Sequence, residues 1–435
     1  MTITLNFTTV PTRFKHLQTI VDNVKDCVDE IFIHVPTKYN RYTEPFEIPV
    51  VSGAHVNVVD KDYGPYTRYV CAQGDDILIF IDDDTLYHKD HVVHLVQRHL
   101  KTGDVWGGSG FDFKEYFNGK DIQKFLKKEA EVTVVEGYGM IVMNRKQLDM
   151  VIDEAKELCE LYPTCDDIVM SNLMEKHNIR RFTYTEFNDS IRQQEYGFGE
   201  DSLNYQNHRI VYKKALRSLK ISNNLHFKPV LTYGITVCDE SNELERLLYT
   251  LDEHMNHCDD IIILVDSGKV TDDVMNVIES YKHIITRYDL KEFGDDFSEF
   301  KNHLRSMSRS EYIFQIDADE VPTGFLIQGA YNMLDKGVVY IPRVNIMYGF
   351  DSNTMNEFDF TLNEAGYINW PDYQGRVYDS KHVWQGTLHE TLVPRSEDDQ
   401  SVPPNPMTAL WHVKTLKKQR QQNNLYLKNK NLKIE

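Results

Sequence analysis

The chain carries one structural plan twice, and that repeat limits what it can fold into. In the first half, strand candidates at 3–8 (ITLNFT), 30–35 (EIFIHV), 55–60 (HVNVVD) and 76–81 (DILIFI) alternate with helical patterns. Leu17, Ile20, Val21 and Val24, for example, recur at helical spacing. The second half repeats the order: strands at 233–238, 260–265, 283–288 and 312–316, with helices at 242–251 and 271–281. The first strands start at 3 and 233 and the second at 30 and 260, in both cases 230 residues apart; the last strands end at Asp82 and Asp317, 235 apart. A period this long means duplicated domains rather than a solenoid. Alternating strands and helices predict an α/β protein of two tandem units, each an open, mostly parallel sheet covered on both faces. The expected division is 1–205, a basic linker at 206–230, and 231–435 with a basic tail.

A length of 435 residues agrees with about two or three domains. Hydrophobic residues make up 41% and aromatics 11%, enough to build cores and to exclude wholesale disorder. The apolar runs 77–81 and 261–265 are strand-sized, far below the roughly 18 residues that span a bilayer. The N-terminal MTITLNFTTVPTRF has no basic stretch followed by an apolar core, so no secretory signal is expected; a chain already relieved of one would read the same. The six cysteines contain no CxxC pair, which predicts reduced thiols and no structural zinc. These features suggest a cytoplasmic protein, in the host cytoplasm if it is viral. The balance of 48 Lys+Arg against 67 Asp+Glu gives −19, which argues against a nonspecific polyanion coat. Two basic stretches, 208–220 and 411–435, leave local grooves open.

Both halves end their fourth strand in acids: Asp82, Asp83 and Asp84 in one, Asp317, Asp319 and Glu320 in the other. Adjacent carboxylates at the tip of a buried strand repel and are costly to desolvate. A hard divalent cation relieves both, held by one or two carboxylates together with substrate phosphates. In open α/β sheets ligands sit beyond the carboxyl ends of the strands, where both clusters fall. A solvated strand end or a helix cap is the plainer reading of a single such cluster.

Asp82-Asp83-Asp84 and Asp317-Ala318-Asp319 resemble the Asp-x-Asp motif of GT-A glycosyltransferases. The segments 232–251, 295–320, 372–378 (DYQGRVY), 384–392 (WQGTLHETL) and 411–423 (WHVKTLKKQRQQN) resemble family-2 glycosyltransferases more specifically. The N-terminal half resembles a virus-type group of GT-A-like enzymes through TTVPTRF (8–14), DYGPYTR (62–68), ILIFIDDDTLY (77–87), EGYGMIVMNR (136–145) and CDDIVMSNLM (165–174). The resemblance implies Mn²⁺ or Mg²⁺ bridging the diphosphate of a nucleotide sugar, a UDP-sugar first. The implied metal ligands are Asp82, Asp84, Asp317, Asp319 and the late His412, with Asp83 as competitor for the metal and diphosphate in the first half.

In the resembling fold an acid at a helix start acts as general base. Asp167, and next Asp166, occupy that place, with an ordinary N-cap as the alternative. Glu390, beside His389, is the base candidate of the second half. Arg68 is a candidate phosphate contact, or else a partner of a surface acid. Asp239, Glu240 and Asp266 end strands where the resembling family holds the nucleotide. Gly137 and Gly139 would let an acceptor or sugar approach the backbone, or would simply form a turn. Trp370 and Trp384 could stack on sugars or lie in the core. The chemistry implied is direct displacement with inversion: a base deprotonates the acceptor hydroxyl and the metal neutralises the leaving diphosphate.

The leading expectation is thus a bifunctional, metal-dependent transferase adding sugars to a glycan or glycoconjugate. Transfer onto hydroxymethylated bases of viral DNA is the alternative acceptor reading. A nucleotide-sugar-binding protein with one inactive half is the alternative from another class.

Overall fold

The computed structural model describes residues 1–118, 129–186, 192–193, 208–294, 296–349, 354–355, 358, 360–387 and 390–421. The chain divides into two compact units: Met1–Leu219 with Asn224–Phe227, and Lys220–Asn223 with Lys228–Glu435. His389 and the tail 422–435 lie outside the described residues.

The first unit is built on an eight-stranded sheet in the order His55–Val59, Glu30–Pro36, Ile3–Thr8, Ile77–Phe80, Ile141–Asn144, Val105–Gly107, Arg181–Tyr184, Glu129–Glu131. The first four strands pair in parallel, and Ile141–Asn144 runs antiparallel to Ile77–Phe80. All four residues of Ile77–Phe80 are buried, as its unbroken apolar run requires of a strand covered on both faces. Leu17, Ile20, Val21 and Val24 all point into the core from the helix Leu17–Val24, joining Leu5, Phe7, Ile31, Ile33, Ile79 and Ile81.

The second unit repeats the layout. Its seven-stranded sheet runs Arg287–Lys291, Asp260–Asp266, Leu231–Val237, Tyr312–Asp317, Gln374–Asp379, Val339–Ile341, Gln400–Ser401. Again four parallel strands are followed by an antiparallel fifth. In both units the strands stand third, second, first, fourth, and the fourth carries the acids at its end. A three-stranded sheet of Glu320–Pro322, Leu410–Thr415 and Arg343–Tyr348 lies beside that end. The chain therefore has the expected α/β architecture of two open, mostly parallel sheets.

Two local readings shift. The strand expected at 283–288 begins at Arg287, because Tyr281 to Ile285 form turns in which the Tyr281 carbonyl accepts from the N–H groups of Ile284 and Ile285 at 3.0 and 3.2 Å. The stretch 206–230, read as linker from its charge, contains the helix His208–Ile221. Tyr212, Ala215, Leu216 and Leu219 are buried along it, an apolar stripe at helical spacing that the intervening Lys and Arg obscured. Cys27, Cys71, Cys159, Cys165, Cys238 and Cys258 are all free thiols. Among the described residues no helix is long and apolar enough to cross a membrane.

Candidate functional site

In the first unit the chain leaves Ile77–Phe80 through Ile81 and turns at Asp82, Asp83 and Asp84. The three carboxylates face two arginines. Arg13, from the 3₁₀ turn Pro11–His16, pairs with Asp83 and lies 3.1 Å from Asp84. Arg68, buried with 4% exposure, pairs with Asp82 and donates to the Ile81 carbonyl at 3.2 Å. Its other terminal nitrogen is 2.6 Å from Asp166 and 4.0 Å from Asp167. Arg68 thus forms an internal bridge between the protein's own acids, Asp82 and Asp166. Sequence reasoning missed Arg13; its only signal was a place in the TTVPTRF segment.

Asp166 and Asp167 open the helix Asp166–Lys176, whose N-cap is Cys165 with no side-chain cap bond. Neither acid occupies the cap position. Asp166 is tied to Arg68, while Asp167 accepts from the Gly137 N–H at 2.9 Å and from the Tyr212 hydroxyl at 3.4 Å. Gly137 and Gly139 bracket a 3₁₀ turn, and the protein fills the space beside them. A Cβ on Gly137 would sit 2.0 Å from Arg68 Nη2, and one on Gly139 2.1 Å from the Ser109 nitrogen. The room these glycines leave is taken by Arg68 and Ser109 rather than held open for a sugar.

Five aspartates converge here on two arginines, and negative charge is in excess. Burial, then the charges of Asp82 and Asp83, push the Asp84 carboxyl up to about 6. Burial likewise raises Asp83 and Asp166 against their arginines, and burial with Asp166 beside it raises Asp167 well above the carboxylate range. Uncompensated hard oxygen donors at a strand end fit a divalent cation.

The second unit has the opposite balance. Asp317 accepts from Thr236 at 2.7 Å and from the buried Arg376 at 2.7 Å. Arg376 also reaches the fully buried Glu320 at 2.6 Å, and Arg343 joins Glu320 to Asp372. Asp319 Oδ2 is surrounded by His412 Nε2 at 3.3 Å, Lys414 at 3.6 Å and Lys418 at 3.9 Å. Burial works against ionisation, yet Arg376 and Lys301 hold Asp317 below its ordinary range, and His412, Lys414 and Lys418 do the same for Asp319.

The tautomer of His412 follows from its neighbours. Asn345 uses its amide nitrogen on the Ile368 carbonyl at 3.3 Å and on Asp372 at 2.7 Å. Its oxygen therefore accepts from His412 Nδ1 at 2.7 Å. Burial lowers the imidazole pKa, while the Asp319 carboxylate, 3.3 Å from Nε2, raises it. The ring nitrogen and the carboxylate oxygen thus stand side by side at the end of the fourth strand. That N/O donor pair fits a divalent metal.

Glu240 Oε2 accepts the N–H groups of Cys238 and Asp239 at 2.8 and 3.1 Å, while its Oε1 meets Lys418 at 3.1 Å. Asp239 is exposed. Asp266, expected at the nucleotide, is 5% exposed and accepts the Gly268 and Phe293 N–H groups at 3.0 and 3.2 Å, so its structural work is to hold that loop. Glu390 lies 2.5 Å from the buried Lys301. Trp384 is core, donating to Gln315 at 2.9 Å, and Trp370 packs edge-on to Tyr367. Among the described residues, Cys238, Asp239 and Glu240 also bring one ligand atom each within 4.8 Å of one another. Burial pushes that thiol up to about 12, which makes it a poor metal ligand near neutral pH.

Residues 233–386 match the model of Glycosyl transferase family 2. The SPbeta prophage-derived glycosyltransferase SunS of Bacillus subtilis (strain 168) is 27% identical over 139 residues, which are 32% of this chain and 29% of that protein. Glycosyltransferase SunS of Bacillus phage SPbeta matches to the same extent. The matched region thus spans less than a third of the length of these relatives. Among solved structures, S. aureus TarS 1–349 in complex with UDP-GlcNAc superposes with a TM-score of 0.28 at 12% identity, over 42% of this chain and 58% of that one. The mannosyltransferase PcManGT from Pyrobaculum calidifontis, in complex with GDP-Man and Mn²⁺, gives 0.23 at 15%, over 27% and 36%. The C-terminal half of the chain carries a glycosyl transferase family 2 domain.

Proposed function

We propose that the protein is a bifunctional glycosyltransferase that draws on nucleotide-sugar donors at two sites, one per unit. The observation that carries this reading is the shared position of the two acid clusters, each ending the fourth strand of a third-second-first-fourth sheet. The family 2 match supports it for the second unit. A UDP-sugar donor and a glycan or glycoconjugate acceptor are the proposed substrates. Transfer to DNA is less well supported, because Lys414 and Lys418, two of the basic residues that suggested it, turn toward Asp319.

In the first unit, Asp82 and Asp84 would hold a divalent cation; in the second, Asp319 and His412 would, beside Asp317. When bound, the cation supplies Lewis-acid neutralisation of the leaving diphosphate. The chain's own groups perform the proton transfer. Asp166 is fixed in an ion pair, and Asp167 is the acid that burial and the neighbouring Asp166 make the more basic of the two, as a general base requires. The Gly137 N–H fixes one Asp167 oxygen and leaves the other toward Tyr212. In the second unit Glu390, oriented by Lys301, is the proposed base. Inversion at the anomeric carbon follows from displacement by a single deprotonated hydroxyl.

The test is hydrolysis of a panel of nucleotide sugars by the intact protein with Mn²⁺, without acceptor. Turnover of at least one donor, lost in an Asp84→Ala/Asp319→Ala double variant, is expected. No turnover of any donor would leave the binding-protein reading in its place.

A further inference from the structure

The glycine turn of the first unit also carries a carboxylate, Glu136, one of whose oxygens is unused. Gly110–Phe111 pairs antiparallel with Val134–Val135, which sets Ser109 opposite Glu136. The two residues are joined twice. The Glu136 N–H donates to the Ser109 carbonyl at 3.0 Å, and the Ser109 hydroxyl donates to Glu136 Oε2 at 2.7 Å. The turn beyond is also fixed. The Glu136 carbonyl accepts from the Gly139 N–H at 3.0 Å, and the Tyr138 carbonyl accepts from the Tyr87 hydroxyl at 3.0 Å. Glu136 Oε1, by contrast, has no hydrogen-bond partner among the described residues, and the residue is half-buried. An ionised carboxylate only accepts hydrogen bonds, so this oxygen calls for a donor from outside the protein.

Its neighbours say which donor. The residue after Glu136 is Gly137, whose N–H holds the proposed base Asp167 at 2.9 Å. Burial and the charge of Asp82 raise the Glu136 carboxyl against its bond from Ser109. Glu136 in turn adds to burial and Asp166 in raising Asp167. Glu136 is not a third metal ligand beside Asp82 and Asp84: among the described residues these three do not bring ligand atoms within 4.8 Å of one another. The group delivered to Asp167 in glycosyl transfer is a hydroxyl. What lies next to it, within reach of a second carboxylate, is a further hydroxyl of the same acceptor. The Ser109 bond and the locked turn hold Glu136 ready for that contact, so little ordering remains to be done when the acceptor binds.

We propose that Glu136 binds the acceptor of the first unit by accepting a hydrogen bond from the hydroxyl next to the attacking one, so that this unit selects polyols with adjacent hydroxyls. The proposal rests on the reading of the first unit as a glycosyltransferase site and names the class of its acceptor. An acceptor with one isolated hydroxyl leaves Glu136 Oε1 desolvated and unpaired, the situation in which a polar site discriminates most strongly.

The experiment uses the full chain with Asp319→Ala, which leaves only the first unit to turn over. Its substrates are a nucleotide sugar that it hydrolyses, a panel of methyl glycopyranosides, their monodeoxy analogues, and the base 5-hydroxymethylcytosine, whose one hydroxyl has no neighbour. At least one glycoside should accept sugar, and 5-hydroxymethylcytosine should be at least tenfold poorer. Glu136→Ala should raise the KM for that glycoside at least tenfold. Deleting the adjacent hydroxyl should cost the parent protein the same factor, and should cost the Ala variant nothing beyond a few-fold. A merely structural role for Glu136 would not couple to one acceptor hydroxyl. Glu157→Gln, at an exposed helix position, should behave as the parent does. Should the Ala variant unfold, as circular dichroism would show, Glu136→Gln decides: its amide oxygen keeps the Ser109 bond, and the NH₂ group left at the free position accepts nothing. An undiminished deoxy penalty in the variant, an unchanged acceptor KM, or preference for 5-hydroxymethylcytosine would each overturn the proposal. Donor hydrolysis without transfer to any glycoside would overturn it alone. Absence of donor hydrolysis would overturn the glycosyltransfer reading, and this inference with it.

Discussion

Arg68 and Asp166 are 98 residues apart in sequence and 2.6 Å apart in space. Since Arg68 also pairs with Asp82, one buried guanidinium fixes the distance between the acid cluster and the proposed base pair. Arg68→Met would strand buried carboxylates without a counter-charge, at a cost of about 3–5 kcal/mol. The expected result is a markedly lower melting temperature for the first unit and loss of its transfer step. Wild-type stability in this variant would mean that the bridge is not structural.

Gly137→Ala tests the same bridge from the opposite side. The added methyl meets Arg68 Nη2 at 2.0 Å, closer than any real Cβ contact, so Arg68 must move. Overpacking of this kind costs about 1–3 kcal/mol. Transfer by the first unit should fall further than stability alone explains, read as kcat on protein that remains folded. The second unit's step, assayed with its own acceptor, should stay at wild-type rate.

The two acids at 166 and 167 should separate by chemistry. Asp167→Asn keeps the hydrogen bond from Gly137 but accepts no proton, and transfer should fall by a factor on the order of 10²–10⁴. Donor affinity should hardly change. Asp166→Asn should instead lower thermal stability, because it breaks the pair with Arg68. In wild type, activity should rise with pH through the Asp167 pKa, which burial and Asp166 raise above the ordinary carboxylate range. An acid limb left at the ordinary carboxylate position would remove Asp167 from the role.

Chelation should stop both transfer steps, and Mn²⁺ should restore them. By Mn²⁺ electron paramagnetic resonance, Asp84→Ala should lose one class of bound ion and Asp319→Ala the other. If either substitution abolished both, a single composite centre would replace the two-site reading.

Asp259 gives a stability test away from the sites. Burial raises it to about 7, although it accepts from Tyr331 at 2.6 Å and from the Leu231 N–H at 3.2 Å. A carboxyl raised above its unfolded value of about 3.9 binds its proton more tightly in the folded state, so stability falls as pH rises from about 4 to 7 and stays lower above that. Asp259→Asn keeps an acceptor oxygen and carries no charge. It should match wild type near pH 4 and exceed it at pH 8 by up to a few kcal/mol, measured by denaturant unfolding.

Much of this architecture was legible because it rests on local patterns. Ile77–Phe80 and Asp260–Asp266 are apolar runs leading into acids, and the offsets of 235 and 230 residues tied each to its counterpart. What periodicity could not carry was pairing across the chain. Arg13 reaches Asp83 over 70 residues and Arg376 reaches Asp317 over 59, contacts that no spacing rule encodes. The partners that the fold gives Arg68 and Asp266, acids for one and backbone N–H groups for the other, are likewise brought in across the chain. The helix His208–Ile221 was hidden for another reason: its charge count dominated four apolar residues at the proper spacing.

The antiparallel fifth strand of each sheet has a consequence for inheritance. Because it runs against its neighbour, its opening residues, rather than its closing ones, arrive beside the acids: Gly139 and Met140 just before Ile141–Asn144, and Arg376 within Gln374–Asp379. Each acid cluster is therefore shaped by two stretches of chain lying tens of residues apart and read in opposite directions. After a duplication, one stretch can drift while the other keeps its acids. The two copies can then keep the same sheet and come to differ in charge, as the glycine turn of one and the arginine of the other already do.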